Sequence, residues 1–181
     1  MKKIFFLVAV LGLFSSCGED IQFNNPSLQV MKDDALLRTT NPRVVLNLDG
    51  TIAIAGEYGM ESLSLKIPSV TPGTYYFGVD SNTVAYYRSE APDGLVLEYS
   101  TIEGPENENE GNLGELTIYE ITDPKASPVQ GTISGEFKFR GRIMNNNPFG
   151  QPSVFFHKGH FYNLTAQAEQ EEEEEEEEII P

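Results

Sequence analysis

Tryptophan is absent from the 181 residues, cysteine occurs once and histidine twice. A single cysteine excludes a disulfide framework and a thiolate metal site. Without indole the chain lacks the favoured aromatic platform for sugar rings. Basic residues are scarce, 12 Lys and Arg against 28 Asp and Glu, which leaves a formal net charge of −16. A surface of that sign is repelled by nucleic acid, so neither DNA nor RNA is an expected partner. No apolar run reaches the ~20 residues of a membrane-spanning helix, and no window beyond Ser16 carries a helical period. No G-x-S-x-G elbow, H-E-x-x-H pair or glycine-rich phosphate loop occurs.

What is present begins at the N-terminus. Lys2 and Lys3 form a basic region, Ile4 to Phe14 is an uncharged apolar stretch, and Ser15-Ser16 leads into Cys17. A stretch this short reads as the core of a signal peptide. Small residues before a lone cysteine resemble a bacterial lipobox, with cleavage between Ser16 and Cys17 and lipidation of the Cys17 thiol. Phe14 stands where that pattern prefers leucine. The alternative is an ordinary secretory cleavage site beside a free thiol. Two or more acyl chains, palmitate among them, give stable anchoring at about 0.8 kcal/mol per buried CH₂. Gly18-Glu19-Asp20 does not look like an inner-membrane retention signal, and its acidic pair resembles the surface-export signal of Bacteroidota lipoproteins. The expected location is the outer membrane, lipid-anchored, at the cell surface or on the periplasmic face.

The opposite end, Glu169 and Glu171 to Glu178, holds nine glutamates before Ile179-Ile180-Pro181. Like charges at i and i+4 repel, which predicts a disordered acidic tail. Four segments result: residues 1–16 as signal peptide, 17–25 as lipidated tether, 26–168 as one β domain and 169–181 as poly-Glu tail.

Between the ends the period is two. Ile133, Phe137 and Phe139 alternate with Glu136, Lys138 and Arg140, and Leu63, Leu65 and Ile67 with Ser64 and Lys66. Each run reads as a half-buried antiparallel strand. Asp49-Gly50 between two apolar runs marks a hairpin. A three-residue turn sets Leu46 opposite Ile52 and Val44 opposite Ile54, with Gly50 left-handed. Further strands are expected over 75–79, 84–88, 95–100, 115–121 and 153–165. The fold class is all-β: an antiparallel β-sandwich or flattened β-barrel with short hairpins. Lys66, Lys138 and Arg140 are read as charges that blunt exposed sheet edges.

The succession of Asn25-Pro26-Ser27-Leu28-Gln29-Val30, Asp49-Gly50-Thr51-Ile52-Ala53-Ile54-Ala55-Gly56, Leu63-Ser64-Leu65-Lys66-Ile67-Pro68, Thr71-Pro72-Gly73-Thr74-Tyr75, Gly131-Thr132-Ile133-Ser134-Gly135-Glu136-Phe137-Lys138-Phe139 and Gly159-His160-Phe161-Tyr162-Asn163-Leu164 resembles small Bacteroidota lipoproteins. These are built on a single β-rich domain of unknown function. The likeness spans Asn25 to Thr165 and implies a β domain behind a lipid anchor, with no activity or site to carry over.

Candidate chemistry is sparse. His157 and His160, three apart, should point to opposite faces of a strand, so ordinary surface or turn histidines are expected. Glu106, Glu108 and Glu110 before Gly111 imitate the opening of a calcium loop, yet Thr117 stands where the closing glutamate belongs. Glu57, Glu61, Asp80, Glu90, Asp93, Glu98 and Glu120 are read as solvated carboxylates near turns or on polar faces. An acidic-site hydrolase needs two of them facing each other across a cleft. Tyr75, Tyr76, Phe77, Tyr86, Tyr87 and Tyr99 crowd the middle strands, and adjacent pairs send one ring to each face. Tyr76, Tyr87 and Tyr99 are the candidates for an exposed ligand platform; core and cross-strand packing is the competing account. The functional expectation is a lipid-anchored envelope module, non-catalytic and without cofactor or metal, that binds a glycan or an envelope protein or serves a structural role. A glycan-binding adhesin and an acidic-site hydrolase are the alternatives.

Overall fold

The structure, a computed structural model, describes residues 26–47, 49–78, 82–102, 112–122, 131–144 and 147–168. No described residue is helical. The strands are β1 (Ser27–Lys32), β2 (Ala35–Arg38), β3 (Arg43–Leu46), β4 (Ile52–Tyr58), β5 (Glu61–Ile67), β6 (Gly73–Phe77), β7 (Val84–Glu90), β8 (Val96–Ser100), β9 (Gly114–Thr122), β10 (Thr132–Ile143) and β11 (Ser153–Ala168). They form one sheet in the order β2-β1-β11-β3-β4-β5-β7-β8-β10-β9-β6, and β10 also pairs with β11. That extra pairing curls the sheet, because the path from β11 through β3, β4, β5, β7 and β8 returns to β10. β1–β2 and β9–β6 are flaps on either side of the closing pair. The all-β reading holds, with one departure: β3 runs parallel to the end of β11, through Val44–Ala166 and Leu46–Ala168.

Alternation builds the core. Leu63, Leu65 and Ile67 of β5 and Ile133, Phe137 and Phe139 of β10 are buried, while Glu136, Lys138 and Arg140 are exposed. The β3–β4 register is the expected one, Val44 opposite Ile54 and Leu46 opposite Ile52. Asn47 N–H donates to the Thr51 carbonyl, which closes the turn, and Gly50 sits at φ 81°. A left-handed residue there is what suits glycine.

The closing strands depart from simple alternation. β11 carries two extra residues against β10, one between the Phe137–Gly159 and Phe139–Phe156 pairs and one between Ile133–Leu164 and Gly135–Phe161. Lys158 and Asn163 lie at these bulges with φ of 52° and 53°. Bulges bend and twist a strand, which is how a long pair becomes the spine of a curled sheet. Aromatic rings fill the space inside: Phe139 lies 4.4 Å from Phe156, and Phe156 lies 5.0 Å from Tyr87.

The charges expected at edges are elsewhere. β5 and β10 are interior strands, so Lys66 and Lys138 blunt nothing. They pair with Asp49 at 3.0 Å and Glu115 at 2.8 Å. The edges of the sheet are β2 and β6.

Candidate functional site

The tyrosine pairs split between faces, but not in the sense a ligand platform requires. Tyr87 is 2 % exposed and Tyr99 3 %, and both rings belong to the core. Tyr76 alone of the three candidates is on the surface, at 47 %. Within Tyr86-Tyr87 the outward ring is Tyr86, whose hydroxyl donates to Glu98 at 2.6 Å. Burial and that carboxylate push the Tyr86 phenol up to about 12. Tyr87 turns inward because it shares parity with Ala85, and Tyr99 is its cross-strand partner. An exposed tyrosine row through 76, 87 and 99 therefore does not exist.

The carboxylate that departs from expectation is Glu61. Glu57 faces Arg43, Glu90 faces Arg88, and Asp93 accepts from Leu95 N–H, all in ordinary surface settings. Glu61 instead continues the inward row Leu63, Leu65, Ile67, and Lys32 continues the inward row Leu28, Val30. The two meet across the inside of the curl. Lys32 Nζ donates to Glu61 Oε1 and to the Tyr87 hydroxyl, each at 2.5 Å, and the Tyr87 hydroxyl donates to the same Oε1 at 2.6 Å. The ammonium also stands 4.8 Å from the centre of the Tyr87 ring. Burial first, and the Glu61 carboxylate second, push the Tyr87 phenol far up. Glu61 Oε2 is buried and has no hydrogen-bond partner in the protein. The hollow beside it, walled by Leu28, Val30, Leu37 and Leu63, offers about 10 Å³, the room of one water. A parity count along β1 and β5 is the sequence signal that could have found this cluster.

Chemically the cluster is a clasp. It ties the β1–β2 flap to β5 and β7, through one carboxylate between an ammonium and a phenol. Hydrolysis by paired acids needs a second carboxyl group about 5–9.5 Å away. The partners of Glu61 are a lysine and a tyrosine.

The histidines share a face after all. Lys158 bulges out of β11 between Phe156 and Gly159, both inward, so His157 and His160 both lie outside, opposite Met31 and Gln29 of β1. The opposite-face expectation fails because a bulge resets strand parity. His157 Nε2 donates to the Asp33 carbonyl at 2.7 Å and its ring stacks on Phe155. That use is structural: it docks the β1–β2 turn onto β11. Among the described residues no group of three His, Cys, Asp or Glu is placed to hold a metal ion.

The outer side of β9, β10 and β11 carries an open concavity. A groove of about 500 Å³ runs between Glu115, Lys138, Arg140 and Phe155, with Asn112 and Gly114 at its end. A smaller hollow of about 160 Å³ adjoins it and shares Glu115 and Lys138, with Lys158 beyond. Phe155 is 45 % exposed there.

Ser16 and Cys17, the carboxylates of Glu106, Glu108 and Glu110, Asp80, the Glu120 side chain and the residues of the poly-Glu tail lie outside the described residues. No helix among the described residues is long and apolar enough to cross a membrane.

No curated protein and no solved structure matches the chain. Residues 24–165 match the family model described as a domain of unknown function, DUF6252, over most of the sequence, and the chain belongs to that family.

Proposed function

We propose that the protein is a lipid-anchored lipoprotein of the bacterial cell envelope, attached through Cys17, whose β domain is a non-catalytic binding or structural module. The observation that carries this reading is the run from Lys2 to Cys17: a basic start, an uncharged apolar core, two serines and the lone cysteine. The resemblance to Bacteroidota lipoproteins and the acidic pair Glu19-Asp20 support an anchor in the outer membrane. The fold supports a passive module, since the half-buried Glu61 carboxylate serves to clasp a flap to the sheet.

Metabolic labelling with an alkynyl palmitate tests the anchor. The wild-type chain takes up label and partitions into the detergent phase, and Cys17→Ala does neither. Label on the Cys17→Ala chain, or none on the wild type, overturns the reading.

A second reading, glycan binding, draws on the groove over β9, β10 and β11. Phe155 supplies an exposed ring face, and Arg140, Lys138 and Asn112 supply polar groups along one wall. Retardation in polysaccharide-impregnated gels that is lost in Phe155→Ala supports it, and equal mobility of the two chains removes it.

A further inference from the structure

The two edges of the sheet are guarded unequally. β2 is four residues long, follows Asp33-Asp34, ends in Arg38 and is docked through the Asp33 turn onto β11. Short length and charge are the usual protections of an exposed edge. β6, Gly73 to Phe77, contains no charged residue and no proline, and pairs with β9 without a register shift. Among the described residues nothing pairs with its other side.

The backbone groups that this edge presents can be assigned. The Phe77 carbonyl accepts from Leu113 N–H at 2.9 Å, so Phe77 faces the β9 side. Backbone direction alternates along a strand. Gly73 and Tyr75 therefore face β9 as well, while the N–H and C=O of Thr74 and Tyr76 face the open edge.

We infer that β6 is a dimerisation edge, which adds antiparallel to β6 of a second copy of this chain. A two-fold axis at Tyr75 sets Thr74 against Tyr76 of the partner subunit and Tyr76 against Thr74 of the partner subunit. Those are the two residues with outward-facing groups, so each of the two pairs exchanges both of its backbone hydrogen bonds. The strand is thus its own complement. Charge confines a contact between copies to this edge. At a net charge of −16 two copies repel over most of their surfaces. β6 is neutral, and the acid opposite Tyr76, Glu115, is paired with Lys138. The exposed Tyr76 ring on the outer face lies over Thr74 of the partner subunit, a favourable cross-strand pair. A five-residue strand pair is small beside a standard interface, so the dimer is weak in dilute solution. The inference stands without the lipid anchor.

Sedimentation equilibrium of the full chain in detergent, over a concentration series, tests it. The wild type shifts from the mass of one copy to that of two as concentration rises. Thr74→Lys puts a like charge on both copies at the edge and raises the dimer dissociation constant at least tenfold. Leu36→Lys, which charges the exposed leucine of β2, leaves the wild-type curve unchanged. Far-UV circular dichroism verifies the fold of each variant, and Tyr76→Lys replaces Thr74→Lys if the latter unfolds. A single-copy mass for the wild type throughout the series overturns the inference. So does a dimer that survives the β6 lysine, or one abolished by Leu36→Lys.

Discussion

The two flanks of this sheet reach the same end by different rules. On the β3–β4–β5 flank the ladders run without a register shift, and the inward residues are aliphatic: Val44, Ile52, Ile54, Leu63, Leu65 and Ile67. On the β9–β10–β11 flank the inward residues include Phe137, Phe139, Phe156 and Phe161, and both ladders of β10 are broken by bulges. Aliphatic side chains of similar size tile a regular pleat. Rings do not, and here each of two rings lies opposite a glycine, Phe137 against Gly159 and Phe161 against Gly135. The pairs are reciprocal across the strands, so each ring occupies the space its partner's missing side chain leaves. Large residues thus demand both an empty neighbour and a chain that can change parity.

The largest expected effect comes from removing a ring. Phe156 is fully buried and stacks on Phe139 while touching Tyr87. Phe156→Ala should lower unfolding free energy by about 3–5 kcal/mol in urea titration. Leu65→Ala on the other flank should cost about 2–5 kcal/mol, and less than Phe156→Ala, since the smaller side chain removes less apolar surface and leaves the smaller cavity. If Leu65→Ala proves the costlier, the aromatic stack is not the part of the core that holds the curl.

Filling the empty positions should hurt by a different mechanism and to a different degree. A methyl at Gly135 would stand 2.0 Å from the Thr117 carbonyl, which belongs to the ladder and cannot turn away. A methyl at Gly159 would stand 2.6 Å from the Phe137 ring, a side chain that can be trimmed. Both alanine variants should lose about 1–3 kcal/mol through overpacking, with Gly135→Ala the worse. Adding Phe137→Leu should recover stability in Gly159→Ala and none in Gly135→Ala. Equal behaviour of the two double variants would mean that ring and glycine are not fitted to one another.

The same contrast explains what could be read from the residues alone. The β3–β4 turn was legible to the residue, because Asp49-Gly50 and the match of apolar neighbours admit one good register. The half-buried character of β5 and β10 was legible from alternation. Placement of the histidines was not, since the sequence Phe156-His157-Lys158-Gly159-His160 contains nothing that marks Lys158 as the residue to be pushed out. The inward turn of Tyr87 was not legible for a simpler reason: pair alternation says that one ring of Tyr86-Tyr87 goes inward without saying which. Lys32 and Glu61 had a usable signal in their parity with buried neighbours, but charge argued for the surface. Their partnership, made from strands that do not pair with each other, depends on the curl, and the curl depends on the β10–β11 bulges. The edge role expected of Lys66, Lys138 and Arg140 fails because strand order is invisible to any local pattern.

Titration separates the flanks at opposite ends of the pH scale, with the smallest expected effects. Asp49 Oδ1 accepts from the Thr51 hydroxyl and Thr51 N–H, and Oδ2 accepts from Lys66 Nζ. The Thr51 hydroxyl foremost, then Thr51 N–H and Lys66, holds the Asp49 carboxyl at about 2, against 3.8 for a free side chain. Its ionised form is therefore favoured in the folded chain. The resulting stability is present in full above pH 3.8 and is lost as pH falls through about 2. On the other flank Tyr119 is pushed up to about 12, by burial first and by the Glu136 carboxylate second. Its neutral form is the favoured one, so that contribution is present below pH 10 and is lost as pH rises through about 12. Urea midpoints measured against pH should show the wild type and Asp49→Asn converging only in acid, and the wild type and Tyr119→Phe converging only in alkali. Convergence of Asp49→Asn with the wild type already at neutral pH would detach the Asp49 turn from the stability of the aliphatic flank. A Tyr119→Phe chain that tracks the wild type through pH 12 would do the same for the phenol on the aromatic one.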